Sequence, residues 1–236
     1  MEIRKNLVDS SKYGTKCPYT MNPEFITIHN TYNDATAANE VAYMIRNNNE
    51  VSFHIAIDDK EAVQGLPLER NAWACGDGNG AGNRKSISVE ICYSLSGGNR
   101  YYKAEDNAAI IVAQLMKQYS IPISKVRTHQ SWNGKYCPHR MLAEGRWNNF
   151  IERVQNAYNG GGKNVSVDNG VRVKTGGFRD VEASKKLLEY ALDRKWWVEP
   201  FVNNGEFYYI TGGLYEPQLS EFEKWMKDNG WWCTRV

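Results

Sequence analysis

The sequence predicts an α/β fold for the first two-thirds of the chain and a small α+β unit at its C-terminal end. Upstream, short β-branched runs alternate with segments of helical periodicity, which is typical of a central mixed sheet flanked by helices. Downstream, a strand, a Gly-Gly turn, a helix and a strand occur twice, as in two βαβ units of a ferredoxin-like fold. A chain of 236 residues is long enough for two modest domains.

The upstream elements follow from the spacing of apolar residues. Short runs that are rich in β-branched residues, or that alternate with period two, predict four strands. They lie at residues 25–28, 51–57, 86–92 and 126–128. Three segments have the periodicity of amphipathic helices, and they lie at residues 37–48, 105–119 and 142–158. Together these elements define a predicted domain at residues 1–158.

The downstream part contains an internal repeat that follows a glycine-rich linker predicted at residues 159–164. The sequence VRVKTGGF at 171–178 recurs as FYYITGGL at 207–214. Each copy continues through a helix to a tryptophan pair, at 196–197 and 231–232, of which one member is expected to face outward. The stripes that should cover the sheet are Val181, Leu188 and Leu192 in the first copy and Leu219, Phe222 and Met226 in the second.

Composition excludes several classes of function. The 29 basic and 27 acidic side chains leave a net charge of +2, which argues against nucleic acid as the main partner. The sequence has no run of about 20 apolar residues that would predict a membrane span. The N-terminus lacks an apolar signal segment, which predicts synthesis in the cytoplasm. Five irregularly spaced cysteines predict free thiols. The expected oligomeric state is a monomer.

A metal site is predicted from two histidines and one cysteine that follow short strands. His29 ends the run FITIH, His129 follows VRT, and Cys137 lies in the loop after it. Two imidazoles and a thiolate suit Zn²⁺ with one open position, which is the arrangement of hydrolytic sites. Lys135 lies close enough in sequence to reach an oxygen at the metal. His139 is an alternative third ligand or a group that steadies Cys137.

Glu90 is predicted to project from the face of the sheet that carries the metal site, on a strand that borders the metal strands. If Val89 and Ile91 face the core, strand alternation turns the Glu90 carboxylate the other way, where it could take a proton from water. The alternative is a solvent-facing glutamate on an edge strand. His54 is expected in the core or behind a ligand. The segment 71–83, with many glycines and asparagines, predicts either a mobile polar rim of the site or an ordinary surface loop.

The order of these motifs resembles that of a known family. IHNT, SFHIAI, a WACG loop, SISVEI and THQSWNGKYCP occur in sequence within about residues 20–150. This series resembles the zinc-dependent N-acetylmuramoyl-L-alanine amidases of the amidase-2 family, which also includes peptidoglycan recognition proteins. With its C-terminal repeat, the whole chain resembles the endolysins of Bacillus phages and prophages.

The resemblance implies a role for particular residues. His29, His129 and Cys137 would hold one Zn²⁺, Glu90 would be the catalytic carboxylate, and Lys135 would stabilise the oxyanion. Two positions depart from the family pattern, because Phe53 stands where some relatives have tyrosine and Ala74 where histidine is frequent. Other residues are expected to contact the substrate or the cell wall, and these are Trp73, Asn79, Trp197, Tyr208, Tyr209 and Trp232.

The implied activity is hydrolysis of the amide bond between N-acetylmuramic acid and L-alanine in the peptidoglycan of Gram-positive, Bacillus-type walls. The chain would lyse the host wall after the membrane has been permeabilised, and residues 165–236 would bind the wall. Those residues carry 10 basic and 11 acidic side chains, so binding should rest on aromatic and hydrogen-bonding groups. The alternatives are a binding module without activity, against which the retained Cys137 argues, and an amidase that recycles soluble muropeptides and needs no anchor.

Overall fold

The computed structural model describes residues 1–160, 171–194, 196–214 and 217–236. They form two compact units, one on each side of residues 161–170. Residues 161–164 of the predicted linker and residues 165–170 of the predicted C-terminal domain lie outside the described residues. Within those limits, no helix is both long and apolar enough to cross a membrane.

The first unit is built on a six-stranded mixed sheet with the order β1-β4-β3-β5-β2-β6. All neighbouring strands are parallel except β3 and β4, which are antiparallel. The strands are β1 Ile3–Lys5, β2 Phe25–Asn30, β3 Ile55–Ile57, β4 Ala62–Gln64, β5 Ser86–Ile91 and β6 Val126–Thr128. The central mixed sheet that the sequence predicts is confirmed.

Helices flank this sheet, and the longest of them packs on β3, β4 and β5. They are α1 Tyr13–Lys16, α2 Ala37–Arg46, α3 Ala81–Lys85, α4 Gly98–Tyr119, α5 Gln130–Asn133, α6 His139–Ala143 and α7 Trp147–Tyr158. The helix predicted at 142–158 is two helices, because Gly145 has φ +65° between α6 and α7. The strand predicted from residue 51 begins only at Ile55, since the Ser52 amide donates to the Trp73 carbonyl instead.

The described residues of the second unit form a four-stranded antiparallel sheet with two helices. Its elements are β7 Val173–Thr175, α8 Val181–Asp193, β8 Val198–Asn203, β9 Glu206–Thr211, α9 Gln218–Asp228 and β10 Cys233–Arg235. The strand order β10-β7-β9-β8 interleaves two βαβ units, so that each unit has a strand of the other between its own two. The predicted ferredoxin-like arrangement is therefore the one that these residues adopt.

The predicted helical stripe is confirmed in α9, whereas in α8 only Leu188 of its three members packs against the core. Leu219, Phe222 and Met226 of α9 are buried. In α8, however, Val181 is 69% exposed and Leu192 is 72% exposed, and the buried positions are Ser184, Leu187 and Ala191. Two of these three buried positions hold small residues, Ser184 and Ala191. A stripe predicted from the larger apolar side chains of α8 therefore includes residues of the exposed face.

Candidate metal centre

The candidate site lies at the carboxyl ends of two neighbouring parallel strands, β2 and β6. His29 is the penultimate residue of β2, His129 directly follows β6, and Cys137 lies in the loop between α5 and α6. Ile28 pairs with Thr128, so the residues that follow them are neighbours on adjacent strands. One ligand atom from each of the three side chains lies within 4.8 Å of the others, and all three residues are buried.

The two imidazoles face each other through the same ring atom. His29 Nδ1 lies 3.1 Å from His129 Nδ1, and Cys137 Sγ lies 4.0 Å from His29 Nδ1. Burial lowers the pKa of both histidines, and the nearby positive charge of Lys135 lowers them further. Neutral rings are therefore the expected form near pH 7, and the neutral imidazole is the form that binds metal ions.

Cys137 is a protonated thiol in the metal-free protein. Burial raises its pKa to about 11, and the charge of Glu90 acts in the same direction. A thiol must lose its proton to become a metal ligand, so metal binding at this residue releases a proton at neutral pH.

Glu90 lies beside His29 on a central strand. The two residues are register partners in β5 and β2, so their side chains leave the sheet on the same face. Since β5 lies between β3 and β2, the edge-strand alternative is wrong. Burial raises the pKa of Glu90 to about 8, the charge of Glu40 adds to this, and Lys135 opposes it. Its Oε2 is buried and has no hydrogen-bond partner among the described residues.

Lys135 is exposed on the loop that carries Cys137. Gly134 before it has φ +85°, and the Lys135 amide donates to Asn133 Oδ1 at 2.9 Å. The positive charge of Lys135 lowers the pKa of Glu90 and of Cys137, as it does for the two histidines. Its ammonium group is therefore close enough to influence every ionisable member of the cluster.

The remaining two histidines lie outside the cluster. His54 is in the core, where the Ser88 amide donates to its Nδ1 at 2.9 Å and its Nε2 lies 2.8 Å from the Arg70 carbonyl oxygen. His139 places Nε2 3.3 Å from the Ser94 carbonyl and packs its ring on Tyr32. The structure thus brings Cys137, and not His139, to the pair of candidate histidine ligands.

The buried His54 gives a prediction for acid stability. Burial lowers its pKa to about 4, so below pH 6.5 the unfolded chain takes up a proton that the folded chain refuses. Stability should fall by about 3 kcal/mol as the pH falls from about 6.5 to about 4. In His54→Asn, which keeps an acceptor for Ser88, this loss should be absent. The free energy of unfolding of both proteins is measured by urea titration at about pH 7.5 and 4.5, with a chelator present and with hydrogen exchange in β5 as the readout. An equal loss of stability in the two proteins would contradict the prediction.

The loop at residues 71–83 is braced by two of its own side chains. Asp77 accepts hydrogen bonds from the amides of Gly82 and Asn83, and Asn83 Oδ1 accepts from the amides of Ala74 and Cys75. Of the residues predicted to contact substrate, Trp73 is half-buried against Tyr19, and exposed Asn79 accepts a bond from Arg84. Neither of them lies among the three candidate ligands.

Cys75 of the same loop contacts both candidate histidine ligands, a role that the sequence does not predict. It is fully buried. His129 Nε2 lies 3.0 Å from the Cys75 carbonyl oxygen, and His29 Nε2 lies 4.0 Å from Cys75 Sγ. The only sequence signal was a cysteine inside the WACG loop, in a chain whose other thiols are mostly buried.

In the second unit the predicted aromatic residues differ in exposure. Trp197 is 53% exposed and Trp232 is 63% exposed. Tyr208 is half-buried and stacks on Phe201, with ring centroids 5.2 Å apart. Tyr209 is only 3% exposed, so the prediction that it contacts the wall is wrong. Successive residues of a strand point to opposite faces, and in β9 it is Tyr209 that faces the helices.

A buried cluster of two histidines and a cysteine, with a carboxylate on the next strand, defines the class of the protein as a candidate metal-dependent hydrolase. The family model of N-acetylmuramoyl-L-alanine amidase, Amidase_2, matches residues 19–140. The chain belongs to this family. The matched residues lie within the first unit and include all three members of the cluster.

Two relatives of the chain are amidases of Bacillus subtilis. It is 53% identical to the N-acetylmuramoyl-L-alanine amidase CwlA of Bacillus subtilis over 81% of this chain and 70% of that protein. It is 59% identical to XlyB of the same organism, but it spans only half of the length of that amidase. Among solved structures, PlyL is 77% identical with a TM-score of 0.65, over 65% of this chain and 97% of PlyL. The PlyG catalytic domain gives the same identity and TM-score.

Proposed function

We propose that this chain is a zinc-dependent N-acetylmuramoyl-L-alanine amidase that acts as an endolysin on Gram-positive, Bacillus-type cell walls. It would hydrolyse the amide bond between N-acetylmuramic acid and L-alanine in peptidoglycan. The observation that carries the proposal is the buried cluster of His29, His129 and Cys137 with Glu90 beside it. Membership of the amidase family and similarity to the amidases of Bacillus support the choice of bond.

The donor set fits a zinc ion. Nitrogen and sulfur ligands are the ones that zinc prefers, and three protein ligands are the usual number in catalytic sites. The chemistry of the two histidines supports this choice. If His129 donates its Nε2 proton to Cys75, its Nδ1 lone pair faces His29 Nδ1 at 3.1 Å. His29, His129 and Cys137 would hold a cation at this point, and its charge would offset the repulsion between the two lone pairs. Bound there, zinc supplies Lewis-acid chemistry toward water and the amide carbonyl.

Glu90 is proposed to move the proton. Its carboxyl group is on the face of the sheet from which His29 projects, and the buried Oε2 has no partner among the described residues that would compete for it. A carboxylate there accepts a proton from the attacking water as the new carbon–oxygen bond forms. It returns that proton to the alanine nitrogen as the carbon–nitrogen bond breaks. A group with a pKa near the working pH performs both transfers efficiently.

Lys135 is proposed to stabilise negative charge on the carbonyl oxygen. The positive charge of Lys135 lowers the pKa of Glu90 and of Cys137. This supports a position of the ammonium group on the side of the site where these two residues lie. The side chain is exposed, so a substrate can reach it from solvent. An ammonium aimed at the developing oxyanion contributes most once the bound substrate has excluded water.

The experiment that tests the activity is a product analysis on purified Bacillus cell walls. The zinc-loaded chain should release new L-alanine amino termini in proportion to the loss of turbidity, without new reducing sugar ends. New reducing ends would identify a glycosidase, and a new amino terminus other than L-alanine would identify an endopeptidase. Binding to the walls without any new end groups would show a module that binds and does not cut. Each of these results would contradict the proposal.

The second unit is proposed to bind the cell wall through one face of its sheet. Tyr209 and Thr211 are buried on the helix side, so Tyr208 and its register partner Phe201 lie on the other face. Trp197 directly precedes β8 and has the same strand alternation as Phe201, four residues later, so we assign it to this face. Trp232 occupies the corresponding place in the other repeat, because Gly176 bonds to the Trp232 carbonyl as Gly212 bonds to that of Trp197. Exposed aromatic rings on a flat surface are suited to stack on sugars.

Replacement of both exposed tryptophans should weaken wall binding. Trp197→Ala with Trp232→Ala removes the two most exposed rings of this face, and we expect at least about tenfold weaker sedimentation with walls. Leu192→Ala, at a position of α8 that is 72% exposed, is the control for loss of an exposed apolar side chain and should bind normally. The assay uses the full chain with a chelator, so that the walls are not digested. If the double variant binds like the control, the proposed surface is wrong.

A further inference from the structure

Cys75 touches the outer nitrogen of both candidate histidine ligands. Its carbonyl oxygen lies 3.0 Å from His129 Nε2, and its Sγ lies 4.0 Å from His29 Nε2. The residue is fully buried, so water does not compete for either contact. One residue thus reaches the ring atoms that point away from the cluster on two histidines that are 100 positions apart in the sequence.

These two contacts determine which nitrogen of each ring can bind a metal. A neutral imidazole carries one N–H group and one lone pair. An acceptor at Nε2 keeps the proton on that atom and leaves the lone pair on Nδ1. The carbonyl oxygen of Cys75 can only accept a hydrogen bond, and we assign the acceptor role to its sulfur as well, because a ring N–H is a stronger donor than a thiol. They therefore favour the same tautomer in His29 and in His129, with both Nδ1 atoms turned toward Cys137.

The backbone of Cys75 is held in place by Asn83. Asn83 Oδ1 accepts hydrogen bonds from the amides of Ala74 and Cys75, at 3.0 and 2.8 Å. Asp77 in turn accepts from the Asn83 amide at 3.0 Å. Gly82 packs so tightly that a Cβ there would lie 2.8 Å from that of Cys75. The loop is therefore rigidly closed behind the carbonyl group that meets His129.

We propose that Cys75 is a positioning residue of the metal site, which orients His29 through its thiol and His129 through its carbonyl group. This inference rests on the proposed zinc site. Cys75 is not itself a ligand, because its sulfur lies near Nε2 of His29, whereas the candidate metal site is formed at Nδ1. Burial raises the pKa of the thiol to about 12, which agrees with a neutral group that accepts a bond from the ring.

The test measures zinc affinity of the full chain by competition with a chromogenic chelator. Cys75→Val fills the space without an acceptor, and Asn83→Ala removes the brace. We expect each to bind zinc about tenfold more weakly than the wild type, as is usual when a group behind a ligand is lost. Cys75→Ser restores an acceptor and should recover most of the affinity. Cys17→Val, at another fully buried thiol, is the matched control and should bind normally.

The histidine tautomers provide a second measurement. In the zinc-loaded wild type, ¹⁵N spectra should show both ligand rings protonated at Nε2, and Cys75→Val should alter the signal of His29 and not that of His129. Affinity and spectra unchanged in Cys75→Val would overturn the proposal, as would an equal loss of affinity in Cys17→Val. A wild type that binds no zinc would overturn the metal site itself and this inference with it, whereas tight zinc binding by every variant overturns this inference alone.

Discussion

Glu90→Gln is expected to lower the rate of wall hydrolysis by about 10²- to 10⁴-fold, the usual contribution of a general acid or base. The amide has the shape of the carboxyl group but cannot accept the proton of water or return it to the alanine nitrogen. Zinc content should not change, because Glu90 is not a member of the ligand cluster. Release of L-alanine amino termini from walls, at equal zinc occupancy, measures the effect.

The same substitution should stabilise the metal-free protein, which shows that the loss of activity is not a loss of fold. The pKa of Glu90 rises from 4.5 to about 8 on folding. Above pH 4.5 the unfolded chain therefore releases a proton that the folded chain keeps, so stability falls as the pH rises toward about 8. Glu90→Gln removes this penalty, about 3 kcal/mol at pH 7. Urea unfolding with a chelator present, at about pH 5 and about pH 8, should show a gain only at the higher pH.

Wall lysis at the wild-type rate by a zinc-loaded Glu90→Gln protein would remove Glu90 from the mechanism. Glu40, whose charge raises the pKa of Glu90, provides the matched control. Glu40→Gln keeps the hydrogen-bonding shape that meets Asn33 and should reduce activity far less than Glu90→Gln. An equal loss of activity in both variants would indicate that activity depends on the local negative charge and not on the position of the Glu90 carboxyl group.

The sequence predicted the position of the candidate ligands because parallel strands end at one edge of a sheet. The β-branched runs before His29 and His129 identified two such strands, and their register brings the two residues together. Alternation along β5 correctly turned Glu90 toward His29. The choice between Cys137 and His139 needed the structure, because the path of a loop is not encoded in the spacing of its residues.

The role of Cys75 could not be read from the sequence. One of its two contacts is made by a backbone carbonyl, which every residue possesses, and the loop that aims it is closed by Asp77 and Asn83. Glycines and polar residues predicted an irregular segment without showing that it closes on itself. The error at Tyr209 has a similar cause, since two adjacent tyrosines give no sign of which one faces the core.

Cys137→Ala is expected to weaken zinc binding by more than about 100-fold, the upper range for groups that only support a ligand. Activity should be lost with the metal, because the two histidines alone leave the site one donor short of the usual three. His139→Ala is the matched control, since its ring meets Ser94 and Tyr32 outside the cluster. Elemental analysis at a zinc concentration that just saturates the control should find much less metal in Cys137→Ala.

The pH dependence of zinc binding identifies the thiol directly. The pKa of Cys137 in the metal-free protein is about 11, so zinc must displace its proton at every pH below that value. Because this one proton is displaced, the zinc affinity should rise about tenfold for each unit of pH through the neutral range. The slope should be lost in Cys137→Ala and kept in His139→Ala. If Cys137→Ala keeps both its zinc and the slope, another side chain is the third ligand, and the proposed centre has to be rebuilt around it.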